Sequence, residues 1–334
     1  MSRTILGDMS RILSRVALTV VLAWLAAACS QVELAPHLKP LSKDTMMLLG
    51  RKGMDTSAPI FIRVFKEESE LEVWKQRPDG RFYHFKTYPI CNWSGGLGPK
   101  VTQGDRQAPE GFYTVSREQM NPSSQFYLAF NLGYPNLYDR ANNRTGEFLM
   151  VHGKCKSAGC YAMTDALIEE IYGLAREAFI GGQDVIQVHA MPFRMTDANM
   201  ARHKTDKWYP FWKTLKEGYD YFELTRQPPA VGVCNRSYVV NVAAPGGLMP
   251  ARLDPQGPCP MLVHPKVEPF VPRPGDQIAQ ERISVPGPKT RDIAHATPVP
   301  GTTGSLSGIA SSLGGYMGLS KGPSKPLFGF SLGK

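Results

Sequence analysis

The sequence predicts an α+β fold that is mainly β, a sheet or sandwich with a few helices. Two observations predict it. Short apolar or alternating runs recur along the chain between turn residues, which is typical of strands. The stretch of residues 165–180 repeats its apolar residues at helical spacing, which predicts a helix. With 334 residues, 42% of them hydrophobic, the chain can build one good core, and an all-helical fold is excluded.

The strand predictions begin at residues 60–65, where Ile60, Ile62 and Val64 share one face. A hairpin follows, with strands at 71–76 and 82–88 joined by the turn Pro78-Asp79-Gly80. The remaining predicted strands are 112–115, 126–130, 148–151 and 184–189.

The predicted helix at 165–180 has Thr164 as its N-cap and Gly181 as its stop. Its apolar residues form a broad stripe, which indicates core packing and not a ligand site.

The N-terminus predicts export. Arg3, Arg11 and Arg15 precede the thirteen-residue apolar run 16–28, which suits a signal peptide and is too short for a comfortable membrane span. Residues 25–29, ending in Cys29, resemble a lipoprotein processing site, with Cys29 as the lipidated residue. Ordinary cleavage after Ala28 is the alternative. We therefore expect a periplasmic protein, lipid-anchored to the outer membrane.

Three further segments complete the predicted organisation. Residues 29–57 are interpreted as a lipid-anchored tether with a short helix near 44–49. Residues 58–228 form the catalytic domain, and 229–334 a Pro/Gly-rich, largely disordered basic tail that holds 16 of the 28 prolines. The tail carries ten Lys and Arg against five Asp and Glu, about +5 of the net charge of +9. No nucleic-acid partner is expected for an exported chain.

The segment from Met150 to Met163 contains a histidine, two glycines and two cysteines between a predicted strand and a predicted helix. A thiol attacks as a thiolate, and at its free pKa of about 8.5 few molecules are ionised near neutrality, so it needs a nearby base. His152 can be that base and Cys160 the nucleophile. The backbone amides of Gly159 and Cys160 can receive an oxyanion.

Two other interpretations apply to the same residues. A single Cys is often a small buried hydrophobe and a single His a structural residue. His152, Cys155, Cys160 and His189 are also potential metal ligands, but their spacing fits no common zinc pattern. We predict neither a metal nor another cofactor.

Residues 152–160 resemble the active-site signature of the L,D-transpeptidase catalytic domain (YkuD type), in which His-Gly is followed by Ser-x-Gly-Cys. Lys100, Gly104-Asp105 and the run from Pro109 to Tyr113 resemble its upstream motif, in the same order. Residues 160–165 and 188–196 are similar to the YafK-like branch, whose described activity is cleavage of the murein lipoprotein from peptidoglycan. The resemblance covers roughly residues 58 to 230.

The resemblance implies roles for further residues. The carbonyl of Gly153 is expected to orient His152, and Ser157, Tyr161, His189 and Arg194 are candidate substrate-binding residues. For Arg194, a structural salt bridge is the favoured alternative. The sequence departs from typical members because only seven residues separate His152 from Cys160, and because Ala158 and Ala162 replace polar residues. Both departures fit the YafK-like branch.

The resemblance implies a thioester acyl-enzyme formed at an L,D-amide of diaminopimelate in peptidoglycan stem peptides. With water as acceptor, the enzyme is an L,D-endopeptidase that releases a peptidoglycan-attached lipoprotein or outer-membrane protein. With an amine as acceptor, it is an L,D-transpeptidase. A non-catalytic peptidoglycan-binding lipoprotein is the alternative of another class.

Two groups of residues leave alternatives open. The aromatic residues between Trp208 and Phe222 indicate core packing, with a glycan-facing surface as the alternative. Six cysteines in an oxidising compartment usually pair. Cys234 with Cys259 is a plausible bridge. Cys91 and Cys155 are unassigned, and one hypothesis is a Cys155–Cys160 bridge that inactivates the enzyme.

Overall fold

The computed structural model describes residues 34–243 and 253–285. Two five-stranded sheets share one hydrophobic core. The predicted signal peptide (residues 1–28), Cys29 and residues 286–334 of the predicted tail lie outside the described residues. Among the described residues, no helix is long and apolar enough to cross a membrane. The architecture confirms the predicted α+β, mainly β fold class.

The first sheet consists of β1 Ile60–Phe65, β2 Glu70–Gln76, β3 Phe82–Pro89, β5 Gly111–Ser116 and β10 Val185–Met191. Its strand order is β3-β2-β1-β10-β5, and only the β1–β10 pair is parallel. The predicted hairpin is confirmed, with Gly80 in the left-handed conformation that its turn requires.

The second sheet consists of β4 Asn92–Trp93, β6 Met120–Ser124, β7 Tyr127–Asn131, β8 Met150–His152 and β9 Tyr161–Ala162. Its strand order is β4-β9-β8-β7-β6, and the β8–β9 pair is parallel. Three of these strands were not predicted because they are very short or polar: β4 and β9 have two residues each, and β6 contains Pro122.

The predicted long helix is observed as Asp165–Ile180. Thr164 caps it by accepting a hydrogen bond from the amide of Leu167, and the helix ends at Gly181, as expected. Its apolar stripe, which includes Ile168, Ile171 and Leu174, is buried in the core shared with both sheets. In chain order the helices are α1 Lys43–Arg51, α2 Leu137–Ala141, α3 Asp165–Ile180, α4 Asp197–Arg202, α5 Tyr209–Thr225 and α6 Gln277–Gln280.

Helix α5 covers the face of the first sheet that points away from the shared core. Trp212 is fully buried there in a cluster with Phe65 and Met191, and fully buried Phe222 packs on Phe61 and Trp74. The core-packing interpretation of the aromatic stretch is therefore confirmed for these residues. The hairpin of β11 Val231–Cys234 and β12 Ser237–Val240 packs on the same side, and the predicted Cys234–Cys259 disulfide closes its end.

The predicted tether is wrong for residues 34–57, because this segment packs on the domain. Helix α1 lies near 44–49, as predicted, but it buries Leu48 and Leu49 in the shared core. Lys39 forms a salt bridge with Glu169 of α3. An isolated short helix is marginal in water, so the buried leucines stabilise α1 where it is.

The predicted tail also begins with ordered structure. After the β11–β12 hairpin, residues 264–285 run back along the first sheet, where Phe270 packs on Tyr83 and the amide of Val285 donates to the carbonyl of Thr87. Lys52 joins this segment to the N-terminal one, since its ammonium donates to the carbonyls of His84 and Glu281.

Candidate active site

His152 is the last residue of β8, and strand alternation decides which way it points. Val151 and its partner Tyr161 are fully buried in the core between the sheets. Because side chains alternate along a strand, His152 points to the opposite face. Its neighbours across the sheet on that face are Ala129 on β7 and Ala162 on β9, whose methyl groups offer the imidazole no polar partner.

The carbonyl of Gly153 fixes the orientation and tautomer of His152. The distance from His152 Nδ1 to this oxygen is 2.7 Å. A carbonyl only accepts, so Nδ1 carries the proton and Nε2 presents its lone pair. Burial lowers the pKa of His152, while the hydrogen bond to Gly153 acts in the opposite direction. The imidazole is therefore neutral near pH 7 and is able to accept a proton at Nε2.

Gly153 lies where a side chain would not fit. A Cβ there would be 2.5 Å from Oδ1 of Asp165 and 2.9 Å from the carbonyl oxygen of Phe126. The amide of Gly153 donates to that same carbonyl of Phe126, and Asp165 accepts from the amide of Lys154. The turn after His152 is thus fastened to β7 and to the first turn of α3.

Cys160 directly precedes β9 and faces the same side as His152. The parallel register pairs Val151 with Tyr161, so one residue earlier Cys160 lies opposite Met150, two residues before His152. The Cys160 thiol is partly exposed and donates to the carbonyl of Phe148, with an Sγ–O distance of 3.7 Å. Burial raises its pKa, against the smaller lowering effects of the Met150 backbone and the Lys100 ammonium. The thiol is therefore protonated near neutrality and requires a base.

Ser157 organises the backbone in front of Cys160. Its hydroxyl accepts from the amides of Gly159 and Cys160, at 3.2 and 3.1 Å, and donates to the carbonyl of Cys160 at 2.7 Å. The two amides predicted as oxyanion donors thus converge on one oxygen, which belongs to Ser157. Gly159 has φ +125°, and a Cβ there would be 3.3 Å from the side chain of Leu149.

Cys155, in the same loop, forms a disulfide with Cys91. The hypothesis of a Cys155–Cys160 bridge is therefore wrong for this structure, because Cys155 is already paired and Cys160 is free. Cys91 is the residue before β4, the edge strand that pairs with β9.

Two predicted substrate-binding residues, Tyr161 and His189, point away from Cys160. Tyr161 faces the core, where its hydroxyl donates to the carbonyl of Pro109 at 2.6 Å. His189 lies between Val188 and Ala190, both in the shared core, so its ring points to the opposite face of the first sheet, against Phe61 and Phe112. These positions exclude direct contact with a peptide held at Cys160.

Arg194 forms salt bridges with Glu70 and Glu72, and its guanidinium lies 4.4 Å from the centre of the Phe65 ring. The structural alternative for Arg194 is therefore the one observed. The metal alternative also finds no support in residues 34–243 and 253–285, which contain no group of three or more His, Cys, Asp or Glu able to hold an ion.

The structure adds two residues to the surroundings of the site. Lys100, quoted above only as part of a motif, is buried in an ion pair with Asp105 and is close enough to affect Cys160 electrostatically. Phe126 lies 4.7 Å from the ring centre of His152 and is 40% exposed. Nothing in the sequence distinguishes Phe126 from a strand residue of the core.

Comparison with known proteins identifies the family. The model of YkuD, the L,D-transpeptidase catalytic domain, matches residues 61–189. The inferred L,D-transpeptidase YafK of Escherichia coli (strain K12) is 46% identical over 224 residues, which cover 67% of this chain and 90% of YafK.

Solved structures are more distant. The helical cell shape determining protein Pgp2 of Campylobacter jejuni is 17% identical, with a TM-score of 0.33 over 58% of this chain and 80% of that one. Bd1075 of Bdellovibrio bacteriovorus is 20% identical, with a TM-score of 0.29 over 50% of this chain and 59% of that one. On the strength of the YafK match, the chain belongs to the L,D-transpeptidase catalytic domain family.

Proposed function

We propose that the protein is a peptidoglycan-modifying cysteine enzyme in which Cys160 is the nucleophile and His152 the general base. One observation carries this proposal: on one face of β8 and β9, an imidazole with its Nδ1 proton fixed by Gly153 accompanies a partly exposed thiol. A neutral base and a protonated thiol on the same strand face are the combination that cysteine acyl transfer requires.

The reaction follows from these protonation states. Nε2 of His152 takes the thiol proton as Sγ of Cys160 attacks the substrate carbonyl, and the imidazolium then returns this proton to the leaving amine. The product of this half-reaction is a thioester on Cys160. For the oxyanion to reach the Gly159 and Cys160 amides, the Ser157 hydroxyl must turn away from them, which requires rotation about one bond.

We propose an L,D-amide of diaminopimelate as the scissile bond, with water as the preferred acceptor. The enzyme would then be an endopeptidase that releases a lipoprotein or outer-membrane protein from peptidoglycan. Two features of the sequence support this: the resemblance of residues 160–165 and 188–196 to the YafK-like branch, and the alanines at 158 and 162 in place of polar residues. The loss of polar groups changes how donor and acceptor are held. Transpeptidation is the alternative, supported by the family itself.

One experiment separates these functions. Protein-linked sacculi and tetrapeptide muropeptides are incubated with the enzyme, and the masses of the products are measured by mass spectrometry. Released protein carrying no new cross-link supports the endopeptidase, whereas new cross-links support the transpeptidase. Binding without any product, equal for wild type and Cys160→Ala, would instead support a non-catalytic peptidoglycan-binding protein.

We also propose export to the periplasm and lipidation of Cys29, on the basis of the N-terminal sequence. Metabolic labelling with a radioactive fatty acid tests this. Wild type should incorporate the label into an outer-membrane fraction, and Cys29→Ser should not. Equal labelling of both proteins would contradict lipidation at this residue.

A further inference from the structure

The loop between His152 and Cys160 is short and has an unusual backbone. Lys154 and Cys155 both adopt positive φ, 64° and 49°, although neither is glycine. Such conformations are unfavourable for residues with a Cβ and persist when the surroundings hold them. Lys154, Lys156 and Ala158 are exposed, so the loop has little hydrophobic burial to hold it.

The middle of this loop is held chiefly at Cys155. Its sulfur is bonded to Cys91, its amide donates to the carbonyl of Met163, and its carbonyl accepts from Asn92 Nδ2 at 3.4 Å. Cys91 is itself fixed, because its amide donates to the carbonyl of Ala162 at 2.9 Å. The disulfide therefore joins the loop to the edge strand of the second sheet.

Both ends of the same loop contact the reacting groups. At the start, the carbonyl of Gly153 holds Nδ1 of His152. At the end, Ser157 holds the amides of Gly159 and Cys160. Cys155 lies between these two contacts, so a displacement at Cys155 moves the groups that orient the base and the thiol.

We propose that Cys91 and Cys155 are positioning residues, whose disulfide holds the loop so that His152 and Cys160 keep their reactive orientation. The proposal rests on the proposed roles of His152 and Cys160. Reduction by a dithiol transfers two electrons to the Cys91–Cys155 bond, leaving two protonated thiols and the oxidised, cyclic reagent. Once the loop is free, turnover falls more than substrate affinity does.

The second disulfide provides a matched control. Cys234–Cys259 closes the β11–β12 hairpin, which packs on the α5 side of the first sheet, away from Cys160. Removing it changes the number of disulfides equally and leaves the loop before Cys160 untouched.

The first experiment compares two double variants of the full chain, Cys91→Ser/Cys155→Ser and Cys234→Ser/Cys259→Ser, with peptidoglycan substrate. We expect kcat to fall by about tenfold or more in the first variant with KM within about threefold, since displacements near 1 Å can cost about 10²-fold in rate. The control variant should keep kcat within about twofold. Thermal unfolding gives the folded fraction of each protein at the assay temperature.

The second experiment does not depend on the folding of the first variant. The Cys234→Ser/Cys259→Ser protein keeps the Cys91–Cys155 disulfide. It is reduced with dithiothreitol without denaturant, freed of reagent and assayed, then reoxidised with glutathione disulfide and assayed again. Activity should fall on reduction and return on reoxidation. The rate of iodoacetamide alkylation at Cys160, located by peptide mass spectrometry, should change in parallel and needs no substrate.

Three results would overturn the proposal. The first is a kcat of Cys91→Ser/Cys155→Ser within twofold of the control variant. The second is a loss of activity no larger than the loss of folded protein. The third is an unchanged alkylation rate in the reduced protein. Failure of the proposed function itself is distinguishable, because it would appear as an absence of turnover in the oxidised wild type.

Discussion

Two buried histidines, one in each sheet, differ in the groups that surround them. His152 and His189 are 3% and 1% exposed, each lies on a strand, and burial lowers the pKa of both. His189 is enclosed by the Phe61 and Phe112 rings, with Nε2 near Gln187. His152 is oriented by Gly153 and shares its face with a thiol. The two histidines are therefore alike in residue type and burial. They differ in the groups that share their strand face.

The largest effect on turnover is expected from removing the Cys160 thiol, because this thiol distinguishes the surroundings of His152 from those of His189. Cys160→Ala should lower turnover by more than about 10³-fold, because no other group can form the acyl-enzyme. Product release from sacculi, followed by mass spectrometry, measures the loss. Lys156→Ala, a change at an exposed position in the same loop, should leave turnover within about twofold. Undiminished turnover by Cys160→Ala would refute the proposed mechanism.

His152→Ala should lower kcat by about 10²- to 10⁴-fold, the usual contribution of a general base. The raised pKa of Cys160 is the physical reason, since the protonated thiol depends on the base. Steady-state kinetics checks this, with circular dichroism to show that the variant is folded. A loss of kcat smaller than about tenfold would mean that another group acts as the general base.

Gly153→Ala tests how closely the carbonyl that orients His152 must be held. The added methyl group meets Asp165 and the Phe126 backbone, so the turn must shift. We expect kcat to fall by about 10- to 100-fold, in line with the sensitivity of catalysis to displacements near 1 Å. Gly50→Ala adds the same methyl group in open space and serves as the control. Equal activity of the two variants would contradict the assigned role of Gly153.

The pH dependence of Cys160 alkylation tests the protonation states. Burial raises the thiol pKa, so the rate in the free enzyme should rise about tenfold per pH unit up to a midpoint above the ordinary value of about 8.5. Burial lowers the pKa of His152, so the acid limb of turnover should lie below about 6.5. A thiol midpoint below 7 would show a preformed thiolate and contradict this description.

The smallest effect on activity is expected at the other histidine. His189→Leu should change turnover per folded molecule by less than about threefold, because His189 faces away from Cys160. Stability should change by less than about 1 kcal/mol, since half-buried Gln187 loses one hydrogen bond while the buried Nδ1 of His189, which has no partner, is removed. Chemical denaturation and kinetics on the same preparation separate the two quantities. A large specific loss of kcat would mean that His189 communicates with the site.

Sequence periodicity predicted several elements but not α5, although its buried residues Phe211, Trp212, Leu215, Tyr219 and Phe222 also follow helical spacing. The apolar spacing of α3 and the alternation in β1 gave correct elements. The inward direction of Tyr161 was not foreseeable, because a two-residue strand shows no alternation. His189 was foreseeable, since it lies between apolar Val188 and Ala190 and must face away from them. His189 was predicted to bind substrate because of its residue type, although its position in the strand did not support this role.

Non-local pairing explains the other differences. The bond between Cys91 and Cys155 joins residues 64 apart, and nothing local in either segment specifies the partner. The polar composition of residues 34–57 suggested a tether, yet Leu48 and Leu49 are enough to dock α1. Arg194 follows the same logic, because its partners Glu70 and Glu72 come from a strand far away in sequence.

The docking of residues 34–57 limits how far the domain can travel from its proposed anchor. Four residues separate Cys29 from Leu34, the first described residue, and a chain spans at most about 3.6 Å per residue, so the reach is about 18 Å. An enzyme anchored at this distance would reach only a shallow layer above the lipid surface. If Cys29 is lipidated as proposed, the substrate bonds are those that the cell wall brings near the membrane.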